Sequence, residues 1–320
     1  MTKMAKNSTL AAGIDTGKKV LDVALSRGED RLRLDNTPGG WDELAAWLKR
    51  HRVRRVGIES SGGYEQGVVA ALRQKGIVVI VFQPMQVRGY AIFTLKRAKN
   101  DRIDAKLIAL CAAAKEELKA PAAPCFRAFC EHLTMIEQIE EDIARAKTRL
   151  EAFRDQRLRE QVKAEIKRLQ VWRRSELKRL RAAIESEDGL GQKLTLIESV
   201  PGIAERTAIA LLVRMPEIGT LSREEAAALA GLAPYDDDSG NHTGVRHIAG
   251  GRARLRRSLF AAALPAAFRW NPNLVAFYQR LTGAGKSHKR ALVACARKLL
   301  IYANTVVARG TPWLQPQAAN

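Results

Sequence analysis

Hydrophobic and polar positions in the first third of the chain alternate between the two-residue period of strands and the three- to four-residue period of helices. Short apolar or alternating runs at residues 10–15, 19–26 and 30–36 predict three strands. A turn at TPGG precedes the helical spacing of WDELAAWLKRH, and strand and helix patterns then alternate through VRRVGIES, YEQGVVAALRQKG, IVVIVFQP and RIDAKLIALCAAA. Three strands before the first helix, followed by this alternation, indicate an α/β sheet with a mixed edge.

The pattern changes after a Pro/Ala linker, KAPAAPCF, at residues 119–126. Apolar residues then recur at threes and fours from Phe129 to Phe153 and, after a slip of phase, from Leu158 to Ile184. This coiled-coil spacing predicts one long helix or a helical hairpin. Because no Gly or Pro between 126 and 187 marks a turn, we place dimerisation ahead of an intramolecular hairpin.

From about residue 190 the spacing is again helical. Two apolar helical stretches are separated by Pro201-Gly202, and Ser222 with Glu225 has the spacing of a capping box. Two further helical stretches follow an open loop at 235–251. We therefore expect three parts: an α/β domain at 1–120, a helical arm at 121–190 and a mainly helical domain at 191–320.

The charge of the chain narrows the choice of partner. Lys and Arg number 54 against 34 Asp and Glu, a net charge of +20, which favours a polyanion such as nucleic acid. An anionic membrane surface is the alternative, but no stretch approaches the roughly 18 apolar residues that span a bilayer. The first residues read directly into a strand, so we expect no signal peptide. Four cysteines without a CxxC pair indicate reduced thiols in a cytosolic protein.

Four carboxylates are candidates for a metal site. Asp15 and Glu59 each end a predicted strand, and Asp101 and Asp104 share one face of the following helix. Sites in open α/β sheets form at the carboxyl ends of strands. Converging carboxylates repel unless divalent cations neutralise them, and two Mg²⁺ ions would suit phosphoryl transfer. Each residue alone has a simpler explanation as a turn or N-cap residue; together, on a basic protein, they favour the metal site.

Two further segments are candidates for phosphate binding. SVPGIAERTAIALL predicts a helix-hairpin-helix, in which amides of the turn at Gly202 point at a phosphate. An ordinary helical corner is the alternative, because Ala204 stands where the common form has a second glycine. Guanidinium forks match phosphate geometry, and VRHIAGGRARLRR holds five within 12 residues: Arg246, Arg252, Arg254, Arg256 and Arg257.

The loop GLAPYDDDSGNHTG contains the remaining candidate, Ser239. A serine hydroxyl close to arginines and a metal-bound phosphate can act as a nucleophile. Chemistry alone favours a solvated turn serine, and we interpret aspartates 236–238 as a solvated acidic turn, because they lack the strand-end setting of Asp15.

Over about residues 10–310 the chain resembles the DEDD-type insertion-sequence transposases of the Piv/MooV kind (insertion-sequence family 110). The resemblance rests on six features in this order: Asp15, Glu59, KNDRIDA, SVPGI, LAGLAPYDDDSG and IAGGRARLRRSLF. The resemblance implies a RuvC-like domain of RNase H-like fold, a coiled-coil arm and a C-terminal transposase domain. It implies Asp15, Glu59, Asp101 and Asp104 as a tetrad for two Mg²⁺ ions, with Mn²⁺ as a substitute, and Ser239 as the nucleophile.

The same resemblance implies site-specific DNA recombination through a covalent phosphoserine intermediate. The expected partners are donor and target DNA, a structured guide RNA from the same element, and further copies of the chain, as dimers that pair into tetramers; no membrane is expected. The expected location is the bacterial cytoplasm, on the nucleoid.

Three alternatives stay open at this point. A Holliday-junction-type endonuclease would use the tetrad with a water nucleophile. An actin-like ATPase or sugar kinase has a first phosphate loop similar to GIDTGKKVLDVAL, but needs a second glycine-rich loop that the sequence lacks. A non-catalytic nucleic-acid binder would need neither the tetrad nor the serine.

Overall fold

The computed structural model describes residues 10–60, 62–94, 101–115, 124–235 and 247–314, with the side chains of 101–103 and 124–125 left out. The chain divides into two compact units, Met1–Ala120 and Pro121–Asn320. Separate hydrophobic cores form in the two units, and each unit is treated by itself below.

The first unit is a five-stranded mixed sheet with helices on both faces. Its elements are β1 (Ala11–Thr16), β2 (Val20–Leu25), β3 (Arg31–Asp35), α1 (Pro38–Arg50), β4 (Arg55–Glu59), α2 (Gln66–Gln74), β5 (Val78–Phe82), α3 (Pro84–Phe93) and α4 (Asp101–Ala114). The strand order is β3-β2-β1-β4-β5; β1, β2 and β3 pair antiparallel, whereas β1, β4 and β5 pair parallel. This confirms the predicted α/β sheet with a mixed edge.

The two faces of the sheet bury different helices. Ile14 and Ile58 point to the face where α1 and α2 contribute Leu44, Leu48 and Leu72 to one core. Side chains alternate along a strand, so Ala11 points to the opposite face and packs with Ile108 and its neighbours on α4.

Helix α4 lies in direct contact with β1 and β4 because two glycines leave room for it. A methyl group at Gly13 would overlap the backbone of Ala105 and Ala109, and one at Gly57 would overlap Ile108 O and Ala112. The contact also sets the direction of α4: its first turns lie over the later residues of β1, so the helix begins at the carboxyl end of that strand.

The second unit is almost entirely helical. Its elements are α5 (Pro124–Ala152), α6 (Gln156–Glu185), α7 (Leu190–Glu198), α8 (Glu205–Arg214), α9 (Arg223–Ala230), β6 (Pro234–Tyr235), β7 (His247–Ile248), α10 (Ala253–Pro265), a π-helical turn (Ala266–Trp270), α11 (Pro272–Gly283) and α12 (His288–Arg309). The capping box expected at Ser222 and Glu225 is present at the start of α9.

Helices α5 and α6 form a hairpin within the chain. They pack against each other, with Ile139, Ile143 and Leu169 in a small core of their own. The turn falls at the slip of apolar phase, where the Asp155 side chain accepts a hydrogen bond from the Leu158 amide at 2.9 Å and caps α6. The apolar seam that we assigned first to dimerisation is therefore filled by the chain itself, because an aspartate N-cap ends one helix and starts the next without Gly or Pro.

The base of this hairpin belongs to the C-terminal core. Leu133 and Ile136 of α5 and Leu180 and Ile184 of α6 are fully buried together with residues of α7, α8, α10 and α12. The arm and the C-terminal helices thus share one core within the unit Pro121–Asn320.

A charged network joins the hairpin to two helices of that core. The Glu137 side chain on α5 is 10% exposed and lies within 2.7 Å of Arg214, 2.6 Å of Arg254 and 3.6 Å of Arg206. Burial alone would raise the pKa of this carboxyl, but hydrogen bonds from Arg254 and Arg214 and the charge of Arg206 outweigh it and hold the pKa below its usual range.

Helix α12 is long and apolar enough, by length and composition only, to cross a membrane. Half of its most apolar window is buried inside the protein, and Leu292, Leu299 and Leu300 lie in the C-terminal core. Core packing accounts for its composition.

The α4 contact makes a prediction about stability. Gly13→Ala should destabilise the protein by about 1–3 kcal/mol, because the added methyl group forces α4 off the sheet. Gly89→Ala, in α3 with nothing near the added methyl group, should instead be neutral or stabilising by about 0.5–1 kcal/mol. Thermal unfolding of the two variants tests this, and equal melting temperatures would contradict the close approach.

The Glu137 network makes a second prediction. Glu137→Gln at pH 7 should cost about 3–5 kcal/mol, because it leaves arginine charges partly buried without their partner. Glu131→Gln, which removes an exposed pair with Arg127 on the same helix, should cost less than about 0.5 kcal/mol. Chemical denaturation of both variants measures the difference.

The pH dependence of the first variant follows from the lowered pKa of Glu137. The stabilisation is fully present above the unfolded-state pKa, about 4.3, and is lost as the pH falls through the lower folded-state value. The stability difference between Glu137→Gln and the unsubstituted protein should therefore shrink below about pH 4. A difference that stays constant down to pH 2 would show that the carboxylate charge is not the cause.

Candidate catalytic edge and basic surfaces

Asp15 and Glu59 lie side by side at one edge of the sheet. β1 and β4 are parallel neighbours, and their register pairs Gly13 with Gly57 and Ile14 with Ile58, so Asp15 and Glu59 occupy the next positions. Both carboxylates point to the face that carries Gly13 and Gly57, because residues two apart in a strand share a face. Both are half-buried there.

Helix α4 brings a further aspartate to the same region. Asp104, half-buried, immediately precedes Ala105, whose carbonyl lies against Gly13. Asp101 is the first residue of α4, and its side chain lies outside the described ones. All four predicted residues thus lie on β1, β4 or α4, which meet at the carboxyl end of β1, and the side chains of Asp15, Glu59 and Asp104 are described.

The sequence argument missed a fifth carboxylate on this face. Asp22 of β2 is the direct cross-strand partner of Asp15 and is half-buried. Like charges directly opposite on a sheet repel, and the Asp22 carboxylate lies 3.9 Å from the guanidinium of Arg33. The alternating pattern of VLDVAL contained the signal, because it places Asp22 on the strand face opposite to that of Leu21 and Val23.

The donor chemistry of this edge suits Mg²⁺, which prefers carboxylate oxygens. Among the side chains that the structure describes, however, no group of three or more His, Cys, Asp or Glu lies close enough to hold a metal ion. Since the Asp101 side chain is not among these, the tetrad as a whole stays a prediction.

The cysteine nearest to this edge is not a thiolate. Cys111 of α4 is buried, and burial raises the pKa of its thiol to about 11, with the Glu59 carboxylate adding to the rise. Burial likewise raises the pKa of Cys295 to about 11. Both are inert thiols, in keeping with the reduced cysteines that the sequence indicated.

Asn36, which the sequence patterns did not identify, joins the loops beside the carboxylate edge. The Asn36 amide donates to Gly17 O at 3.1 Å and Tyr64 O at 3.0 Å, and its carbonyl accepts from Trp41 Nε1 at 2.8 Å. Asn36 thus ties the loops that follow β1, β3 and β4 together. In the sequence, an asparagine that follows a strand predicts only a turn, so no local pattern indicated the contacts of Asn36 with the other loops.

Ser239 and Arg246 lie outside the described residues. The flanks of their segment are described: Tyr235 of β6 pairs antiparallel with His247 of β7. The chain on either side of residues 236–246 is therefore held together as a two-stranded ribbon.

The other four predicted arginines have partners within the protein. Arg252 binds Glu217 with both terminal nitrogens, at 2.8 and 2.6 Å, and Arg254 lies 2.6 Å from Glu137. Arg257 lies 3.0 Å from Glu141, and Arg256 donates to the carbonyl of Gly250 at 2.6 Å. These side chains hold α10 to α5 and to the turns around it, a use that their spacing alone did not reveal.

Gly202 likewise has a packing role. It has a φ of +97°, and a methyl group there would overlap Ala266, while the neighbouring Pro201 carbonyl accepts a hydrogen bond from Asn271 at 2.9 Å. The first helical residue after the turn is Glu205, 3.3 Å from Arg181. An acidic residue at the helix N-terminus occupies the position that favours a phosphate, so this turn resembles the ordinary helical corner.

Positive charge without acidic partners is found elsewhere in the first unit. A cavity of 920 Å³ between the ends of α1 and α2 is lined by Lys49, Arg52, Arg54 and Lys75 among others. Within the described ranges only Lys75 has an acidic partner, Asp42. Arg52 has φ +55°, the one non-glycine residue in the left-handed region among those described. Its amide donates to Lys49 O and that of Val53 to Leu48 O, so Arg52 caps the C-terminus of α1 in a Schellman motif.

This basic cavity lies at the edge opposite to the carboxylates. It is formed where β4 and β5 begin, at Arg55 and Val78, whereas Asp15 and Glu59 stand where β1 and β4 end. The first unit is therefore polarised, with carboxylates at one edge and arginines at the other.

Comparison with known proteins gives two family matches. A family model described as transposase, of the DEDD kind from IS110 elements, matches residues 12–170, and the model of the transposase IS116/IS110/IS902 family matches residues 194–279. Together these ranges include Asp15, Glu59, Asp101, Asp104 and Ser239.

Individual relatives agree with the family matches. The pilin gene-inverting proteins of Moraxella bovis and Moraxella lacunata are each 25% identical, over 94% of this chain and 96% of theirs. An insertion element IS110 uncharacterized 43.6 kDa protein of Streptomyces coelicolor is 34% identical over 119 residues, 36% of this chain and 29% of that protein. The chain belongs to the IS110 family of transposases and recombinases, and it is an enzyme of DNA transposition or recombination.

Proposed function

We propose that the chain is the recombinase of an insertion sequence, which cuts and rejoins DNA with Ser239 as nucleophile and a Mg²⁺-dependent carboxylate site. The family implies DNA as a partner. The observation that carries the proposal is the register that puts Asp15 and Glu59 side by side on the face covered by α4, the helix of Asp101 and Asp104.

In this proposal the carboxylates of Asp15, Glu59, Asp101 and Asp104 hold Mg²⁺, and the RuvC-like, RNase H-like fold expected for the first unit supports that role. When bound, the metal would stabilise negative charge on the oxygens of the transferring phosphoryl group. Several carboxylates on one face, with Asp22 directly opposite Asp15, concentrate negative charge there, and this concentration favours binding of a cation.

The reaction exchanges one ester for another. The Ser239 oxygen forms a bond to the scissile phosphorus, the bond from phosphorus to one DNA end breaks, and that end leaves as a hydroxyl that gains the serine proton. Attack of a DNA hydroxyl on the phosphoserine then reverses the step on the partner DNA. Because each step conserves one phosphate ester, no nucleotide hydrolysis is needed.

We propose further that a structured RNA directs the reaction, that the chain assembles as dimers that pair into tetramers on DNA, and that it acts in the cytoplasm. The net charge of +20 supports a nucleic-acid partner in each case. A Holliday-junction-type endonuclease with a water nucleophile is the second candidate, since it needs the same carboxylate edge and no serine.

The serine makes the decisive prediction. Purified protein, with its co-expressed RNA, is incubated with labelled DNA that carries the ends of its own element, and a denaturing gel reports the covalent protein–DNA adduct. Ser239→Ala should abolish the adduct, whereas Ser258→Ala, at a half-buried serine on α10, should retain it. Asp15→Asn should abolish both cleavage and adduct, because it removes a metal ligand.

The two candidate functions give different gels. An adduct that persists in Ser239→Ala would exclude Ser239 as nucleophile. Cleavage without any adduct, dependent on Asp15 and independent of Ser239, would establish the water-dependent endonuclease instead.

The basic cavity of the first unit makes a separate prediction. Arg52→Ala with Arg54→Ala should weaken binding of DNA and lower the slope of log affinity against log salt by about 2, one for each lost phosphate contact. Arg31→Ala with Arg33→Ala removes two arginines that already face Glu29 and Asp22 and should leave the slope unchanged. Fluorescence anisotropy over a salt series measures the DNA affinity and its salt slope for both variants. Equal slopes would show that the arginines of the cavity do not contact DNA.

A further inference from the structure

The π-helical turn Ala266–Trp270 exposes aromatic side chains on the second unit. Pro265 ends α10 because it has no amide hydrogen to continue the helix. In the wider turn that follows, Ala266 and Ala267 face the core, whereas Phe268 is 53% and Trp270 57% exposed. Such turns are rare and occur frequently at functional sites.

One of the two exposed rings, Phe268, belongs to a fixed cluster. The centroid of Phe268 lies 5.0 Å from that of Tyr278 on α11 and 6.2 Å from that of His288 on α12. The Tyr278 hydroxyl and His288 Nδ1 are 2.7 Å apart, so a hydrogen bond locks these two rings. Two helices, α11 and α12, thus contact the ring of Phe268, while 53% of this residue stays open to solvent.

Positive charges without acidic partners among the described residues lie next to these rings along the chain. The Arg269 guanidinium lies 4.9 Å from the centre of the Trp270 ring, and Lys286, Lys289 and Arg290 are exposed at the start of α12. Throughout the part of the second unit that is described, none of these four has an acidic side chain within ion-pair distance. The sequence explains this, because no Asp or Glu occurs from Ser239 to Asn320.

Open aromatic faces interleaved with cations match the chemistry of unpaired nucleotides. Bases stack on aromatic rings while their phosphates lie against lysines and arginines, as in single-strand-binding proteins. A duplex keeps both faces of its bases inside the stack, so it can use the cations but not the rings. A purely apolar protein partner would use the rings and would be opposed by the desolvation of four cations.

We propose that Phe268, Trp270, Tyr278 and His288, with Arg269 and Lys289, form an aromatic platform that binds unpaired nucleotides by stacking. The inference rests on the proposed function only in taking a nucleic acid as the partner. It adds that single-stranded segments, in RNA or in opened DNA, are held on the second unit by their bases and not only by their backbone.

The experiment measures binding by fluorescence anisotropy with three probes of one sequence: a labelled 20-nucleotide single strand of RNA, the same strand of DNA, and the DNA duplex. Trp270→Ala should weaken binding of a single strand about 5- to 100-fold, the loss expected for one stacked base. Duplex binding and the salt slope should stay unchanged, because no cation is removed. The relative loss for RNA and for DNA identifies which strand the platform holds.

Three variants serve as controls. Trp270→Phe should restore most of the single-strand affinity, since it keeps an aromatic face. Trp172→Ala, a tryptophan 39% exposed on α6, should have no effect. Lys289→Ala should weaken both single strand and duplex and lower the salt slope, because it removes a charge.

Other outcomes would overturn the proposal. Equal losses for single strand and duplex in Trp270→Ala, or no loss at all, would exclude stacking. A change of oligomeric state in light scattering, with single-strand affinity intact, would assign the platform to contact between copies of the chain. The covalent-adduct assay is independent: the platform can bind single strands even where Ser239 forms no adduct, so failure of one proposal leaves the other testable.

Discussion

The close approach of α4 to β1 and β4 is the constraint on which the carboxylate edge of the sheet depends. Gly13 and Gly57 have no side chains on that face, and α4 presents Ala105, Ala109 and Ala112 to it. Ala11, Gly13 and Asp15 are alternate residues of β1 and share one face of the sheet, which is apolar at Ala11 and carries a carboxylate at Asp15. Because side chains alternate along β1, the same face both packs against α4 and carries the carboxylates.

The repulsion that this arrangement creates explains why the carboxylates point to function and not to stability. Asp15 stands opposite Asp22 and next to Glu59, with the first turn of α4 beside them. Like charges on neighbouring strands cost folding free energy relative to hydrophobic residues at the same positions. A site that binds a cation and a phosphate gives these residues a use, which agrees with membership of a transposase family.

Positive charge is distributed in two ways along this basic chain. The arginines that begin α10 are matched with Glu137, Glu141 and Glu217, which lie in α5 and after α8, and these pairs help to hold the second unit together. The arginines of the cavity between α1 and α2, and those around Trp270, have no such matches in the described ranges. The spacing of arginines in the sequence therefore does not show which of them the fold pairs with carboxylates and which it leaves unmatched.

The sequence by itself indicated the five strands and the mixed edge of the sheet, most of the helices although not α3 or α11, the family, and the strand-end positions of Asp15 and Glu59. These follow from periodicity and from the order of elements, which act over a few residues. The tertiary structure decided that the seam of α5 and α6 closes within the chain, that Gly202 packs against Ala266, that Asp22 joins the carboxylate face, and that Asn36 fastens three loops. Each of these depends on contacts between distant residues, with Arg254 and Glu137 separated by 117 positions, and no local pattern specifies which partner a side chain meets.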